Sequence, residues 1–317
     1  MLMLYCWHMK KGGLITRYMV AQVFKWRPGA AGHIHDADKT GFTILEVMIV
    51  LAVTGALFIS AASLISGRQN KTEFTVAINN IQSQIQQVIS DVGAGFYPSA
   101  NDIQCTYNGA TNAPKFSAGT STQGTNQDCT FMGKAIEFGI KNTDPEQFWV
   151  YSLAGLRQRT ASGITSDVQS VAQANPKVMA VNSASPAGSA TAQNALQNGL
   201  TTGKMTYTNS GTTKNIVAVA FISDLSQNSS GLVNGAQAVN VVPIVSASGE
   251  SVPNTTQAST VASINANVAT GTINPNGGVV ICFVSGTTNQ YGLITIGGGN
   301  ERQNAVTLTI GSTRICP

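Results

Sequence analysis

Apolar residues run almost unbroken from Phe42 to Ser66, a stretch of 25 residues in which Glu46 is the only ionisable side chain. As a helix this run would extend roughly 37 Å, more than the ~30 Å hydrocarbon core of a bilayer. It therefore predicts a membrane segment. From Arg68 the composition turns polar, yet the helical period holds. Phe74, Ala77, Ile78, Ile81, Ile85, Val88, Ile89 and Val92 recur at i, i+3, i+4 and i+7, with Gln82, Ser83, Gln86, Gln87 and Ser90 between them. Such a stripe predicts an amphipathic helix with one buried face. Gly93 and Gly95 supply a stop, and no proline intervenes between Pro28 and Pro98. One helix of about 50 residues is expected, its first half suited to lipid and its second to a protein surface.

Beyond it the period changes from helical to alternating. Runs rich in β-branched and aromatic residues appear at 130–140, 147–153, 215–222, 239–245, 279–284, 291–296 and 305–310. Pro243 makes the fourth an edge or bulged strand. The Gly286–Gln290 connection predicts a hairpin and hence antiparallel pairing. Between Gly155 and Gly203 the chain is poor in aromatics and rich in Ala, Ser, Asn and Gln, which fits a long loop with short helices or an insertion at a sheet edge. The expected class is α+β: a leader over residues 1–41, a long helix over 42–95, membrane-embedded to about residue 66, and a β-rich head with polar loops over 96–317.

Charge orients this plan. The +4 of the 317-residue chain arises wholly before Phe42, where six Lys/Arg meet only Asp36 and Asp38; the remaining twelve basic and twelve acidic groups cancel. An excess of basic residues on one flank places that flank in the cytoplasm and the rest outside. The neutral exterior offers no footprint for nucleic acid. All three histidines (His8, His33 and His35) precede Gly41, so the exported part lacks the commonest general base and metal ligand.

Cys6 lies in the leader, whereas Cys105, Cys129, Cys282 and Cys316 follow the membrane segment. In an oxidising exterior an even set reads as disulfides. Four cysteines allow three pairings. Neighbour pairing, Cys105–Cys129 and Cys282–Cys316, gives two local loops and is the expected one. No C-x-x-C spacing or nearby histidine supports zinc, and no metal or cofactor is expected.

Lys39-Thr40-Gly41-Phe42-Thr43-Ile44-Leu45-Glu46-Val47 resembles the leader-cleavage motif of the type IV pilin superfamily, which comprises pilus subunits and the pseudopilins of type II secretion. That motif is a basic residue, Gly, Phe, several apolar residues, then Glu at the fifth place after the cut. The resemblance implies cleavage between Gly41 and Phe42 by a prepilin peptidase, N-methylation of Phe42, and a pilin-like fold. It also implies assembly with other copies and related pilins on an inner-membrane platform, giving a surface pilus or a periplasmic pseudopilus. Adhesion, motility and DNA uptake are roles of such fibres.

Within the resemblance Glu46 gains a task. A carboxylate at depth in lipid costs about 2.5–3.5 kcal/mol, and the amine exposed at Phe42 is its natural complement. Pairing of Glu46 with the terminal amine of an adjoining subunit would set axial register. The large exterior with polar loops favours a pilus subunit over a pseudopilin, and a Cys282–Cys316 bridge would resemble the C-terminal disulfide loop of many pilins. Two features depart from or qualify the pattern: the proline common in the membrane helix of major pilins is missing, and Gly55 stands where a helix-loosening glycine is often found.

Three other classes compete, one of them a membrane-anchored binding protein that never polymerises. Lys/Arg, an apolar stretch and small residues at Ser60–Ser63 mimic a secretory signal, but the stretch exceeds its usual 7–15-residue core. An envelope enzyme lacks a G-x-S-x-G elbow and a histidine to activate one, and Asp144, Glu146, Asp224 and Glu250 form no catalytic pairing in the sequence. Gly297-Gly298-Gly299 lacks the Gly-Lys-Ser/Thr ending of a phosphate loop and reads as a turn. No enzymatic activity is expected.

Overall fold

The computed structural model describes residues 42–95, 103–119, 128–139, 146–161, 164–182, 191–225, 239–246, 256–286, 289–298 and 304–312. They contain α1 (Ile44–Gly93), β1 (Ile103–Asn108), β2 (Ala113–Ala118), β3 (Cys129–Phe138), β4 (Gln147–Leu156), β5 (Gln158–Ala161), β6 (Ile164–Asp167), α2 (Val171–Ala174), β7 (Lys177–Val178), β8 (Thr191–Ala195), β9 (Leu200–Asn209) and β10 (Thr212–Asn215). Then follow β11 (Ala218–Ser223), β12 (Val239–Ile244), α3 (Gln257–Asn267), β13 (Val279–Ser285), β14 (Tyr291–Ile296) and β15 (Val306–Gly311). The class is α+β. The chain divides into two units, residues 1–59 and 60–317.

The second unit carries two sheets where one was expected. A six-stranded sheet runs β12-β11-β3-β4-β7, with β8 also on β4; a five-stranded sheet runs β10-β9-β13-β14-β15. Two ribbons, β1-β2 and β5-β6, complete the strands. Every described pairing is antiparallel, including the β13-β14 hairpin that joins Val284 to Tyr291.

All seven expected strand runs form, with one informative correction. The run at 215–222 begins as β11 only at Ala218, because Asn215 ends β10 in the other sheet. A stretch that reads as one strand is thus split by the crossing between sheets. Pro243 lies on β12, the edge of its sheet, where its missing N–H does no harm. The outer side of β12 is closed by Asn274. Its side-chain oxygen accepts from Val241 N at 2.8 Å, and its own N–H donates to Val241 O at 2.7 Å. These two bonds occupy the N–H and C=O of Val241, which another strand would otherwise need for pairing at that point.

Burial explains the layering. All eight stripe residues of α1, from Phe74 to Val92, are buried. They join one cluster with Ile136, Phe138, Phe148 and Phe221 of the six-stranded sheet and Met205, Ile281, Phe283 and Ile294 of the five-stranded sheet. Phe138 links the two sheets edge-to-face with Phe283, centroids 5.3 Å apart. The opposite face of the six-stranded sheet packs Ala135, Tyr151, Ala220, Ile222 and Val242 against Val261, Ile264 and Val268 of α3 and its C-terminal turn. With both faces covered, β11 (AVAFIS) is buried at every position, and its sequence does not alternate.

Two glycines permit close approaches. A Cβ at Gly133, where β3 bulges, would lie 2.0 Å from Phe221 O. One at Gly292 on β14 would lie 1.7 Å from Ile78 Cδ1, so α1 sits where only a glycine leaves room. The stop expected for α1 forms at Gly95, which takes a φ of +67° and donates from its N–H to Val92 O.

Candidate functional site

The N-terminal part of α1 begins with a cap. Thr43 precedes the first turn; its hydroxyl and carbonyl oxygens accept from Glu46 N at 3.3 and 3.0 Å. Thr43-x-x-Glu46 is therefore also a capping-box sequence, a signal overlooked in reading Glu46 only as an assembly residue. Further along, Thr54 returns its hydroxyl to Val50 O at 2.8 Å, which satisfies the one polar side chain in the middle of the run. Phe42 is 80% exposed and Glu46 is exposed as well. Gly41 lies outside the described residues. Gly55 has open space around it, so no internal contact requires a glycine there.

The energetics of this segment are decisive. Twelve large apolar side chains from Phe42 to Ile59 are exposed. At about 1.5–3 kcal/mol each, covering them is worth roughly 20–35 kcal/mol, more than the ~5–15 kcal/mol stability of a whole domain. Water is the wrong solvent for this surface. α1 is long and apolar enough to cross a membrane, and none of its most apolar window is buried.

Cys105 and Cys129 are bonded, their Cα atoms 6.2 Å apart, and tie β1 to the start of β3 as neighbour pairing predicts. Cys282, on β13, is also disulfide-bonded. Its expected partner, Cys316, lies outside the described residues. No group of three His, Cys, Asp or Glu side chains that could hold a metal occurs among the described residues. Asp144 and Glu250 lie outside them, and Glu146 is exposed. Gly297 and Gly298 form the turn after β14, with Gly297 N donating to Ala305 O, and Gly299 lies outside the described residues.

The second unit holds polar groups that the sequence reading did not single out. Lys134 on β3 reaches Asp91 on α1 at 2.6 Å, beside a cleft of about 230 Å³ walled by Ile81, Ile85, Val88, Phe148 and Val150. On the other face of β3, Glu137 is only 4% exposed. Tyr151 Oη donates to its Oε2 at 2.5 Å and Thr260 Oγ1 to its Oε1 at 2.7 Å. Burial pushes the Glu137 carboxyl up to about 7, against the two donors, which favour its charged form. The Tyr151 hydroxyl is raised far above its ordinary value by burial and by the carboxylate beside it. A lone acid at a core-facing position of a strand was the available signal.

Comparison with family models, with curated proteins and with solved structures found no match to this chain. What the coordinates define is a class: an α+β protein whose first helix can cross a membrane and whose continuation is built into a two-sheet head.

Proposed function

We propose that the chain is a structural subunit of a type IV pilus-like filament, made as a precursor and cut between Gly41 and Phe42 by a prepilin peptidase. The observation that carries this reading is the junction of motif and helix: Lys39-Thr40-Gly41-Phe42 stands immediately before the cap of a helix whose leading half is uncovered and apolar. Its trailing half supplies the head with a buried stripe.

In this reading the uncovered half rests in the inner membrane before assembly and among the same segments of other subunits afterwards. Phe42 bears the methylated amine, and Glu46 complements the amine of a neighbour. The head, close to neutral and stapled by the Cys105–Cys129 disulfide, forms the outer surface of the fibre. A pseudopilus of type II secretion is the other home for such a subunit.

Mass spectrometry of the chain isolated from native envelopes tests the reading. A mature N-terminus at Phe42 with the mass of one methyl group is expected. A start near Ala62 would mean an ordinary secreted protein, and an uncut chain a plain membrane anchor.

A further inference from the structure

Glu137 is buried beneath α3, and both neutral partners that fix it to that helix are known. Thr260 donates to its carboxyl directly, and Gln257 hydrogen-bonds the Tyr151 hydroxyl that occupies the other oxygen. The apolar part of the α3 seat is made by Val261, Ile264 and Val268, with Ser263 buried beside them, while Asn265 accepts from Val178 N and Asn267 donates to Val245 O. Among the described residues, the charged and titratable groups around this seat are few. β4 contributes only Tyr151, while β11, β12, α2 and α3 contain no charged residue. Lys177 on β7 donates to Asn265 O at 2.7 Å, near the C-terminal end of α3. Lys134, on the opposite face of β3, is paired with Asp91. Neither cation is bonded to Glu137; its carboxyl meets two hydroxyls, which donate to a carboxylate and of which one can turn to accept from the protonated group.

We propose that Glu137 is a proton-operated latch for α3: protonated, it keeps the helix docked on the six-stranded sheet, and ionised, it favours an open state in which α3 lifts and water reaches the carboxylate. A buried carboxylate with no counter-ion among the described residues gains more from hydration than a neutral carboxyl does. The proton is therefore held when α3 is closed and released when it is open. With the closed group titrating at about 7 and the exposed one at 4.5, the open-to-closed ratio can rise by up to about 300-fold between those pH values. The latch stands independently of the filament reading.

Hydrogen exchange on the full chain in detergent micelles, from pH 5 to pH 8 and corrected for the intrinsic rate, tests it. α3 amides over 260–268 are expected to exchange faster than those of β11 at every pH. Their protection is expected to fall at least tenfold across the range, and Glu137→Gln should flatten that fall. Equal protection of α3 and β11, a flat profile in the wild type, or an undiminished slope in Glu137→Gln would overturn the latch. Should that variant not fold, carbon-13 NMR of the wild-type Glu137 carboxyl is read beside the α3 exchange profile: a fall in α3 protection that follows a carboxyl midpoint near 7 supports the latch, and a midpoint near 4.5, or a fall that does not follow the carboxyl, overturns it.

Discussion

Replacing Gly292 with alanine tests how α1 is seated on the five-stranded sheet. The new Cβ would fall 1.7 Å from Ile78 Cδ1, 3.2 Å from Ile78 Cγ1 and 3.4 Å from Phe74 Cζ. Carbon atoms rest about 3.5–4.0 Å apart, so Cδ1 must move. Ile78 has no exposed surface, and overpacking of this kind costs about 1–3 kcal/mol. The backbone of Gly292 is outside the left-handed region, and without that contact alanine would stabilise by about 0.4–1 kcal/mol through the unfolded chain. The sign of the change is thus diagnostic, with a net loss of about 1–2 kcal/mol expected. Ile78→Val removes Cδ1 alone and should cost about 0.5–1.5 kcal/mol. In the double variant the alanine methyl occupies the vacated space, so the double should be more stable than the sum of the singles by about 1 kcal/mol or more. Urea unfolding of the four full-length proteins in the same detergent measures the cycle. Additivity within about 0.5 kcal/mol, or a stabilising Gly292→Ala, would refute the close seating of α1.

Other expectations follow from the same contacts. The folded Glu137 carboxyl keeps its proton to about 7 and the unfolded one loses it at 4.5, so the fold binds more protons in that window and loses stability as pH rises through it. The loss should reach roughly 3 kcal/mol at completion, and unfolding of Glu137→Gln should lack that slope. Cys105→Ser with Cys129→Ser opens a link between residues 24 apart in sequence and should lower stability by about 3 kcal/mol in denaturant titrations. Asn274→Gly keeps the left-handed backbone but removes the acceptor for Val241 N. A loss of about 1–2 kcal/mol is expected, together with increased self-association seen by light scattering at the bared β12 edge.

What the sequence made legible follows physical regularity. The stripe from Phe74 to Val92 was readable because a helix against a flat surface imposes one period, and all eight positions are buried. β14 was equally plain, its apolar run bounded by turn residues at both ends, and its limits agree with the structure. β9 was not. Leu200–Asn209 (LTTGKMTYTN) carries threonines and a glycine, and it is a strand because β10 and β13 pair with its two edges. The tract from Gly155 to Gly203 hid β5 to β8 for a similar reason, since β7 and β8 complete the edge of β4 through backbone bonds that demand little of their side chains. α3 was missed because its buried face rests on only a few apolar side chains, with Thr260 and Ser263 buried among them. At the N-terminus one residue fits two patterns, because Thr43 and Glu46 form a capping sequence and Glu46 also belongs to the proposed processing motif.

The capping position of Glu46 and its proposed pairing role can be separated by a pair of substitutions. The observed cap uses the backbone N–H of Glu46 and the oxygens of Thr43, so it needs nothing from the carboxylate. Any reciprocal contribution from the side chain, reaching back toward the start of the helix, is made about as well by glutamine as by glutamate. An ion pair with the amine of a neighbouring Phe42 is different, because glutamine keeps the size and the hydrogen bonds but not the charge. If Glu46 serves the cap, Glu46→Gln should build filaments like the wild type and Glu46→Ala should be mildly impaired. If it serves as the electrostatic complement of an adjoining subunit, both variants should enter the membrane and be cut at Phe42, and both should be depleted from sheared surface filaments. Electron microscopy and immunoblotting of the sheared and membrane fractions read this out. Wild-type filament yield from Glu46→Gln would sink the pairing role while leaving the cleavage at Phe42 untouched.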